Sequence, residues 1–295
     1  MRFNLPVLVY QEKNCVHNHA DEIAQMGKNA LIVTGRNSSK KNGSLDDVIN
    51  ALKSKNIKYT VYDGVEENPS VETVMEAREI GVKAGCDFII GIGGGSPMDA
   101  AKAIGVMIYH KNENKDFLYK SVSDSQSLPV IEVPTTCGTG SEVTTVAVLT
   151  VHNEKTKKSM SHRIFPRMAL VDEKYIKNAP LKVICDTAID ALAHIVESCI
   201  NNNATEYSKM FAKEGLEAWS KFKDVLLGNR EATDEDFHNM MYASTLAGMC
   251  IAHAGTSLPH GLSYPITYEL GIPHGKAVGY FLPGYINEAT DEDKE

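Results

Sequence analysis

The stretch DFIIGIGGGSPMDAAKAIGVMIY, residues 87–109, decides the fold class. Its first part, residues 87–92, is an apolar run of the length expected for a buried strand, and three consecutive glycines follow it. The part after Ser96 and Pro97 carries apolar residues at helical spacing. A strand that continues through a tight turn into a helix is the building unit of α/β proteins, so this stretch predicts a parallel sheet covered by helices.

The sequence on either side repeats this alternation. SLDDVINALKSK is predicted to be a helix capped by Ser44, and a second helix is predicted to start at the cap Ser70 and to end at Gly85. Further strands are predicted at ALIVT (30–34), IKYTVY (57–62) and PVIEVP (129–134). Strands and helices therefore alternate through the first half of the chain.

The pattern changes from Pro180 onward. Long segments with helical period and almost no strand signal follow: TAIDALAHIVESCI, TEYSKMFAKEGLEAWSKF and DFHNMMYASTLAGMCIAH. We therefore place a boundary near residue 178, between an α/β part over residues 1–178 and an all-helical part over residues 179–295.

The composition excludes several classes of protein. Hydrophobic residues make up 43% of the 295 residues and charged residues 23%, which excludes wholesale disorder. The formal net charge of −8 disfavours nucleic acid as a partner. The six cysteines include no CxxC pair, the amino-terminal apolar run is too short for a signal peptide, and no apolar run reaches the roughly 18 residues of a membrane span. These features predict a soluble cytoplasmic protein without disulfides and without a membrane partner.

The glycine loop can bind a phosphate group. Because Gly93, Gly94 and Gly95 have no side chains, backbone N–H groups can approach a pyrophosphate at the positive end of the following helix. The match to the dinucleotide fingerprint is imperfect, because a serine replaces the last glycine and the loop follows the third predicted strand rather than the first. The alternative is a tight turn that only permits close packing.

A second loop of small residues, PTTCGTGSEVT (134–144), also follows a predicted strand. Ligands of open α/β sheets bind where the carboxyl ends of strands meet, so the two loops support each other as parts of one crevice. The alternative is a threonine-rich turn that satisfies its own backbone. Cys137 is not predicted to be a nucleophile, because no histidine lies near it in the sequence.

Four side chains of the helical part can bind a metal ion. Asp190 and His194 are four residues apart, so both project from one face of a predicted helix. His260 and His274 each lie in a Pro-His-Gly triplet, where proline and glycine bend the backbone so that the imidazole can be aimed inward. Three imidazoles and one carboxylate suit a divalent first-row metal with a position left for substrate.

The alternative is that Asp190 and His194 only form a hydrogen bond with each other. The repeated Pro-His-Gly triplet favours the metal. His253 is a weaker candidate, since it lies seven residues before His260 and can share its helix face. The other histidines have polar neighbours and are predicted to be solvated: His17, His19, His110, His152, His162 and His238.

Five motifs in register resemble the iron-containing (group III) alcohol dehydrogenase family: GGGSPMDAAKA, PTTCGTGSEVT, DALAHIVES, HGLSYP and IPHGKAVGYFLP. Within that family, ALIVTGRNSSKKNGSLDD and the Tyr-Pro of HGLSYP are most similar to the butanol and 1,3-propanediol dehydrogenase branch. The resemblance implies a Rossmann-like dinucleotide-binding domain, an all-helical metal-binding domain and a cleft that holds the reaction, which is a dehydroquinate synthase-like architecture. It also implies a homodimer.

The resemblance further implies the site residues. The metal ligands would be Asp190, His194, His260 and His274, with Fe²⁺ as the metal and Zn²⁺ as the alternative. The pyrophosphate would be held by Gly94, Gly95, Ser96 and Asp99. Further cofactor contacts would come from Asn68, Thr135, Thr136, Thr139, Ser141 and Lys158, although Lys157 is an equal neighbour of the last.

One departure from the family concerns the cofactor. Many members carry an aspartate directly after the first strand, where its carboxylate accepts the ribose hydroxyls, whereas this chain has Gly35. A loop of potential donors to a 2′-phosphate follows: Arg36, Ser38, Ser39, Lys40 and Lys41. We therefore predict NADP in preference to NAD. The alternative is a basic loop that is merely solvated.

Two other departures concern the reaction and the length. Tyr264 stands where some relatives have a second histidine, so proton transfer would use Tyr264, a ribose hydroxyl or water. The chain ends soon after His274, where relatives continue through further helices, so we expect an incomplete helical domain.

The expected function is hydride transfer between NADP(H) and a small primary alcohol or aldehyde. The alternatives are a glycerol-type or phosphosubstrate dehydrogenase of the same superfamily, a metal-dependent hydrolase, which the glycine loop disfavours, and a shortened NADP-binding pseudoenzyme.

Overall fold

The computed structural model describes residues 3–290 and divides them into two compact units. The sheet unit joins Pro6–Thr135 to Thr145–Tyr175. The helical unit joins residues 3–5 and Thr136–Thr144 to the chain from Ile176 onward. The units are thus interleaved along the sequence, and the division into domains at residue 178 stays a prediction.

The sheet unit is built on six parallel strands in the spatial order β1-β8-β5-β4-β2-β3. The strands are β1 (Leu8–Gln11), β2 (Asn29–Gly35), β3 (Lys58–Val65), β4 (Phe88–Gly93), β5 (Val130–Pro134) and β8 (Met168–Val171). A separate antiparallel hairpin is formed by β6 (Val148–Val151) and β7 (Thr156–Ser159). The parallel sheet confirms the predicted α/β class.

The sequence pattern predicts β2 to β5 but not the other strands. The strands β1, β6, β7 and β8 each span only 4 residues, which is too short for a clear period. Sheet pairing with neighbours that are distant in sequence stabilises β1 and β8, because β8 lies between β1 and β5. A pattern of single residues does not record such pairing.

Helices cover the sheet on both faces. They are α1 (Cys15–Asn18), α2 (Ala20–Ala24), α3 (Ser38–Lys41), α4 (Ser44–Ser54), α5 (Val71–Ala84) and α6 (Gly95–Tyr109). Short 3₁₀ helices span Lys115–Tyr119, His152–Glu154 and Glu173–Tyr175.

The side chains of β2 show how the core is divided. Successive residues of a strand point to opposite faces, and Leu31 packs in one hydrophobic cluster with Val74 and Ile104. Its neighbour Ile32 packs in another cluster with Val48. Both faces of the sheet are therefore buried, which explains why its strands are continuous apolar runs.

The helix caps correct one prediction and confirm another. Ser70 caps α5, since its Oγ accepts a hydrogen bond from Thr73 N, and Gly85 ends that helix at φ 68°. Ser44, by contrast, is not the cap of α4. Gly43 occupies that position at φ 82°, and Ser44 Oγ instead lies 2.7 Å from Asn42 Oδ1.

His162 is also placed differently from the prediction. It is fully buried rather than solvated, and its Nε2 lies 2.8 Å from the Phe117 carbonyl oxygen. The polar residues around it in the sequence do not surround it in the fold, because the 3₁₀ helix at Lys115–Tyr119 packs over it.

The helical unit confirms the all-helical prediction. Its helices are α7 (Leu181–Ile200), α8 (Glu206–Leu226), α9 (Asp234–Ala254), α10 (Leu258–Leu270), α11 (His274–Gly279) and α12 (Leu282–Glu288), with a 3₁₀ helix at Ser141–Val143. Reciprocal side-chain caps at Thr205 and Thr233 start α8 and α9. No helix within residues 3–290 is long and apolar enough to cross a membrane.

Two glycines bring the Thr136–Thr144 loop against α9. Gly140 lies at φ +57°, where residues with side chains are strained. A Cβ atom on Gly140 would lie 2.4 Å from Gly248 Cα, and one on Gly248 would lie 2.4 Å from the Gly140 carbonyl oxygen. The two backbones therefore touch only because neither residue has a side chain.

Candidate active site

The predicted cofactor loops of the sheet unit follow neighbouring strands. The strand β2 lies between β3 and β4, so the chain leaves β2 in one direction and returns on its other side. Such a reversal of strand order is where open α/β sheets bind ligands, at the carboxyl ends of the strands. Gly35 ends β2 and Gly93 ends β4, and Thr34 is paired in register with Ile92. The loops after Gly35 and Gly93 therefore start side by side.

The glycine loop has the geometry of an anion-binding turn. Gly93 lies at φ +152°, and a Cβ atom there would lie 2.6 Å from Pro97 Cγ. Gly94 is the N-cap of α6, which begins at Gly95. The first N–H groups of a helix have no partner within the helix and carry partial positive charge. Pro97 lies in this first turn, where its missing N–H costs nothing.

Hydrogen bonds hold three further residues that were predicted to contact the cofactor near the glycine loop. Asn68 N donates to Ser96 Oγ at 3.1 Å, and Thr150 Oγ1 donates to the Asn68 carbonyl at 2.8 Å. Val148 N donates to Asp99 Oδ2 at 2.8 Å. These contacts fix the shape of the loop, and a direct role of Asn68, Ser96 and Asp99 in cofactor binding stays a prediction.

The loop after Gly35 presents only some of its predicted donors. Arg36 and Ser38 are exposed. Ser39 is fully buried, and its Oγ is hydrogen-bonded to Thr34 Oγ1 at 2.8 Å. Lys40 forms an ion pair with Asp63, near the end of β3, which the sequence reasoning missed.

The partner of Lys40 is the carboxylate of Asp63, which lies beside the loop. The Lys40 ammonium lowers the pKa of Asp63, and Arg36 adds to this effect. The carboxylate is therefore ionised at neutral pH and competes with a phosphate for the same donors. Lys158, the other predicted cation, lies exposed on β7 with Nζ 3.4 Å from Glu154 Oε2.

The loop after β5 supplies residues to both units. Thr135 N donates to the Gly93 carbonyl at 2.8 Å within the sheet unit. Thr136, Thr139 and Ser141 belong to the helical unit, where Ser141 N donates to Thr139 Oγ1 at 3.3 Å. Cys137 is buried, and burial raises the pKa of its thiol to about 11, so it is not a thiolate at neutral pH.

The structure brings the predicted metal ligands Asp190, His260 and His274 into one close group and places His194 beside it, outside that group. Asp190 and His194 project from α7, His260 is the third residue of α10, and His274 is the first residue of α11. The Nε2 atoms of the three histidines lie 4.0, 3.5 and 3.7 Å from Asp190 Oδ1, in the order His194, His260, His274. Possible ligand atoms of Asp190, His260 and His274 all lie within 4.8 Å of one another.

The convergence leaves buried polar atoms unsatisfied. Asp190 and His260 are each 3% exposed. Asp190 Oδ1 and His260 Nε2 have no hydrogen-bond partner among the residues that the structure describes. The distance of 4.0 Å also argues against a simple hydrogen bond between Asp190 and His194. Buried polar atoms are normally paired, so this donor set fits a divalent cation.

The opposite edge of each imidazole is anchored. His194 Nδ1 donates to the Gly138 carbonyl at 3.2 Å, and His260 Nδ1 donates to Glu197 Oε1 in a very short hydrogen bond. Ser263 Oγ donates to the His260 carbonyl and lies 3.4 Å from His274 Nδ1, so His274 is the donor in that contact. With Nδ1 protonated, an Nε2 atom that has lost its own proton presents a lone pair toward Asp190.

Sequence reasoning missed these anchors. Glu197 lies in the quoted DALAHIVES motif, and a glutamate three residues after His194 shares its helix face, which was a usable signal. Gly138 and Ser263 could not be recognised in this way. Every residue has a backbone carbonyl, and a single serine forms no sequence pattern that marks it as a partner of a histidine.

Burial and neighbouring charges shift the pKa values in opposite directions. Burial would raise the pKa of Asp190, but the three histidines, His194 foremost, lower it overall. Burial lowers the pKa of His194. Burial would also lower the pKa of His260, but the carboxylates of Asp190 and Glu197 raise it to about 9.

The glycines of the two Pro-His-Gly triplets differ. A Cβ atom on Gly275 would lie 1.8 Å from the Asp186 carbonyl oxygen, so α11 crosses α7 in direct backbone contact. A Cβ atom on Gly261 would meet nothing within 4 Å. Only the second triplet therefore needs its glycine for packing, and both triplets place the histidine in the first turn of a helix.

Tyr264 lies beside this group. Its ring centroid is 5.8 Å from that of His274, and its side chain is half-buried. The structure thus brings the predicted proton-transfer residue next to a predicted ligand, and its role stays a prediction.

Comparison with known proteins identifies the family. Residues 6–173 match the model of the iron-containing alcohol dehydrogenases, and residues 184–295 match that of the C-terminal part of the same family. The chain belongs to the iron-containing alcohol dehydrogenase family. The predicted resemblance to this family is confirmed.

Individual relatives support this family assignment. An NADPH-dependent butanol dehydrogenase of Clostridium saccharobutylicum is 32% identical and covers 97% of this chain and 73% of its own length. A long-chain primary alcohol dehydrogenase of Thermoanaerobacter ethanolicus is 32% identical over 88% of this chain and 65% of its own. The crystal structure of an iron-containing alcohol dehydrogenase from Thermotoga maritima is 40% identical, with a TM-score of 0.91 over 97% of this chain and 78% of that chain.

The lengths differ. The chain spans less than two thirds of the Thermoanaerobacter enzyme and about three quarters of the other two.

Proposed function

We propose that the protein transfers a hydride between NADP(H) and a small primary alcohol or its aldehyde, of the butanol or 1,3-propanediol type. A primary alcohol and NADP⁺ give an aldehyde, NADPH and a proton. The observation that carries the proposal is the convergence of three imidazole Nε2 atoms on Asp190 Oδ1, a buried atom without a hydrogen-bond partner among the described residues.

The metal would be held by Asp190, His194, His260 and His274. When bound, a divalent ion supplies Lewis acidity, which lowers the pKa of an alcohol oxygen and polarises an aldehyde carbonyl. Mixed nitrogen and oxygen donors suit Fe²⁺, and they also accept Zn²⁺. The residues of the chain orient the donors through Nδ1 and keep water away from Asp190 and His260, which are buried.

NADP is proposed over NAD from the loop after β2. Gly35 contributes no carboxylate that would repel a 2′-phosphate, and Arg36 is exposed and able to donate to one. The Clostridium relative is described as NADPH-dependent. The Lys40–Asp63 ion pair acts against this preference, so the discrimination is expected to be modest.

Tyr264 is proposed to exchange the proton with solvent, because it is half-buried beside His274 and carries a hydroxyl group. A cytoplasmic homodimer completes the proposal. The homodimer rests on the family resemblance, and the cytoplasmic location rests on a cysteine pattern without a CxxC pair.

The test is aldehyde-dependent oxidation of NADPH by the purified protein. Metal-free protein is reloaded with Fe²⁺ under anaerobic conditions or with Zn²⁺, and butyraldehyde and 3-hydroxypropionaldehyde are compared. We expect turnover only after metal is added, with a higher kcat/KM for NADPH than for NADH. NADPH binding without turnover of any aldehyde would instead support a pseudoenzyme.

A further inference from the structure

Glu197 is a buried carboxylate that no ligand assignment includes. It lies on α7 in helical register with Asp190 and His194, seven and three residues after them. Its side chain is completely buried. A carboxylate in such a position is costly unless it is fully hydrogen-bonded, so its partners show what it does.

Both oxygens of Glu197 contact the start of α10. Oε1 accepts the short hydrogen bond from His260 Nδ1. Oε2 accepts hydrogen bonds from Ser257 N at 2.6 Å and from Ser257 Oγ at 3.1 Å. Glu197 thereby connects α7, which carries two of the proposed ligands, to the start of α10, which carries a third.

This contact distinguishes His260 from the other two histidines. His194 Nδ1 meets a neutral carbonyl and His274 Nδ1 meets a neutral hydroxyl, whereas His260 Nδ1 meets a carboxylate. Hydrogen bonds to charged acceptors are shorter and stronger than those to neutral ones. The ring of His260 is therefore the most firmly oriented of the three.

The charges point the same way. Asp190 alone gives the centre one negative charge, and a divalent cation with three neutral imidazoles would leave an excess positive charge in a buried place. A second buried carboxylate, hydrogen-bonded to a ligand, balances that charge without occupying a coordination position.

We propose that Glu197 is a positioning residue of the metal centre, which orients His260 and supplies the second negative charge. This inference rests on the proposed function. It predicts that Glu197 governs metal affinity although it is not a ligand.

Asn201 provides a matched control. It lies one turn further along the chain, and its Nδ2 donates to the Ala254 and Gly255 carbonyls at 3.0 and 3.2 Å. It therefore connects the same α7 region to the same turn before α10 but touches no proposed ligand. If Glu197 only held α7 against the turn before α10, substitution of Asn201 would weaken metal binding to a similar extent.

The experiment compares wild type, Glu197→Gln and Asn201→Ala as metal-free full-length proteins. Each is titrated calorimetrically with Zn²⁺ and, under anaerobic conditions, with Fe²⁺, after circular dichroism has verified the fold. We expect Glu197→Gln to bind metal about 10- to 100-fold more weakly than wild type. Asn201→Ala should stay within about threefold. Equal affinities of wild type and Glu197→Gln, or equal losses in both variants, would overturn the proposal.

A second measurement does not depend on metal. The ¹H resonance of His260 Nδ1–H in the metal-free protein should lie far downfield because a carboxylate accepts it, and it should move upfield in Glu197→Gln. If wild type binds no metal but shows this resonance, the proposed function fails while the orienting contact stands. If the resonance is unchanged in Glu197→Gln, the orienting contact is refuted. Glu197→Gln suits both measurements because glutamine is nearly isosteric with glutamate. A further variant, Ser257→Ala, removes only one of the hydrogen bonds to Glu197, the one from Ser257 Oγ, and shows the effect of that loss.

Discussion

The candidate metal centre and the candidate cofactor loops differ in how their polar groups are hydrogen-bonded. In the helical unit, Asp190 Oδ1 and His260 Nε2 are buried without a hydrogen-bond partner among the described residues. In the sheet unit, the side chains of Ser96, Asp99 and Ser39 are already hydrogen-bonded to the chain. The candidate metal centre thus presents buried donor atoms that suit a cation, whereas the candidate cofactor loops are held in shape by their own hydrogen bonds. We expect changes at the first to act mainly on ligand affinity, and changes at the second to act mainly on selectivity.

The largest effect is expected for Asp190→Ala. Removing the carboxylate leaves three imidazoles without their common partner, so metal content should fall by about 100-fold or more while the helices remain. Metal analysis after dialysis measures the metal content, and circular dichroism measures the helix content. His152→Ala, at an exposed histidine, is the control. If Asp190→Ala retained stoichiometric metal, the contrast between the two regions would disappear.

A slightly smaller effect is expected for Gly275→Ala. Its Cβ atom would collide with the Asp186 carbonyl, so α11 must shift and carry His274 with it. We expect a loss of about 3 kcal/mol in the free energy of unfolding and about tenfold in metal affinity. Gly261→Ala meets nothing and should change stability by no more than about 1 kcal/mol. Equal effects of the two substitutions in denaturant unfolding would contradict this account of the triplets.

The pH dependence of metal binding should follow His260. Its pKa is raised to about 9, so below that pH the metal must displace a proton from the imidazole. Affinity should therefore rise with pH up to about 9 and weaken by up to about tenfold per unit below it. Calorimetry in two buffers with different ionisation enthalpies measures the released proton. An affinity that stays constant between pH 7 and 8.5 would be the contrary result.

The smallest effect is expected in the cofactor loop. Asp63→Asn removes a carboxylate and frees Lys40, so the ratio of kcat/KM for NADPH to that for NADH should rise about threefold. Metal affinity should not change. Glu72→Gln breaks a similarly exposed ion pair with Lys115 and serves as the control. A lower ratio in Asp63→Asn would mean that Asp63 assists NADPH binding.

The sequence predicted the parts of the fold that carry a local period. The strands β2 to β5 and the helices α4 to α9 have apolar runs or helical spacing, and Ser70 and Gly85 mark the ends of α5 through their own chemistry. The short strands β1 and β8 lacked such a period. Their positions depend on pairing with distant strands, which a single sequence does not record.

The candidate site shows the same limit. Asp190 and His194 could be predicted from the sequence because they share a helix face. His260 and His274 could be predicted because the Pro-His-Gly triplet occurs twice. The contacts that orient these side chains could not be predicted, since the Gly138 carbonyl contacts His194 only when the Thr136–Thr144 loop is packed on α7. The pairing of Lys40 with Asp63 likewise required the sheet to place β2 beside β3.

The contact between Gly140 and Gly248 restricts how this protein can evolve. A clash between two large residues can be relieved by a smaller residue at one of the two positions. Here both residues are already glycine, so neither can be replaced by a smaller one. No second-site change at the pair can therefore rescue a side chain at either position. In a library that randomises both codons, surviving clones are expected to encode glycine twice, so the two positions will look independent of each other in any record of natural variation although they are in direct contact.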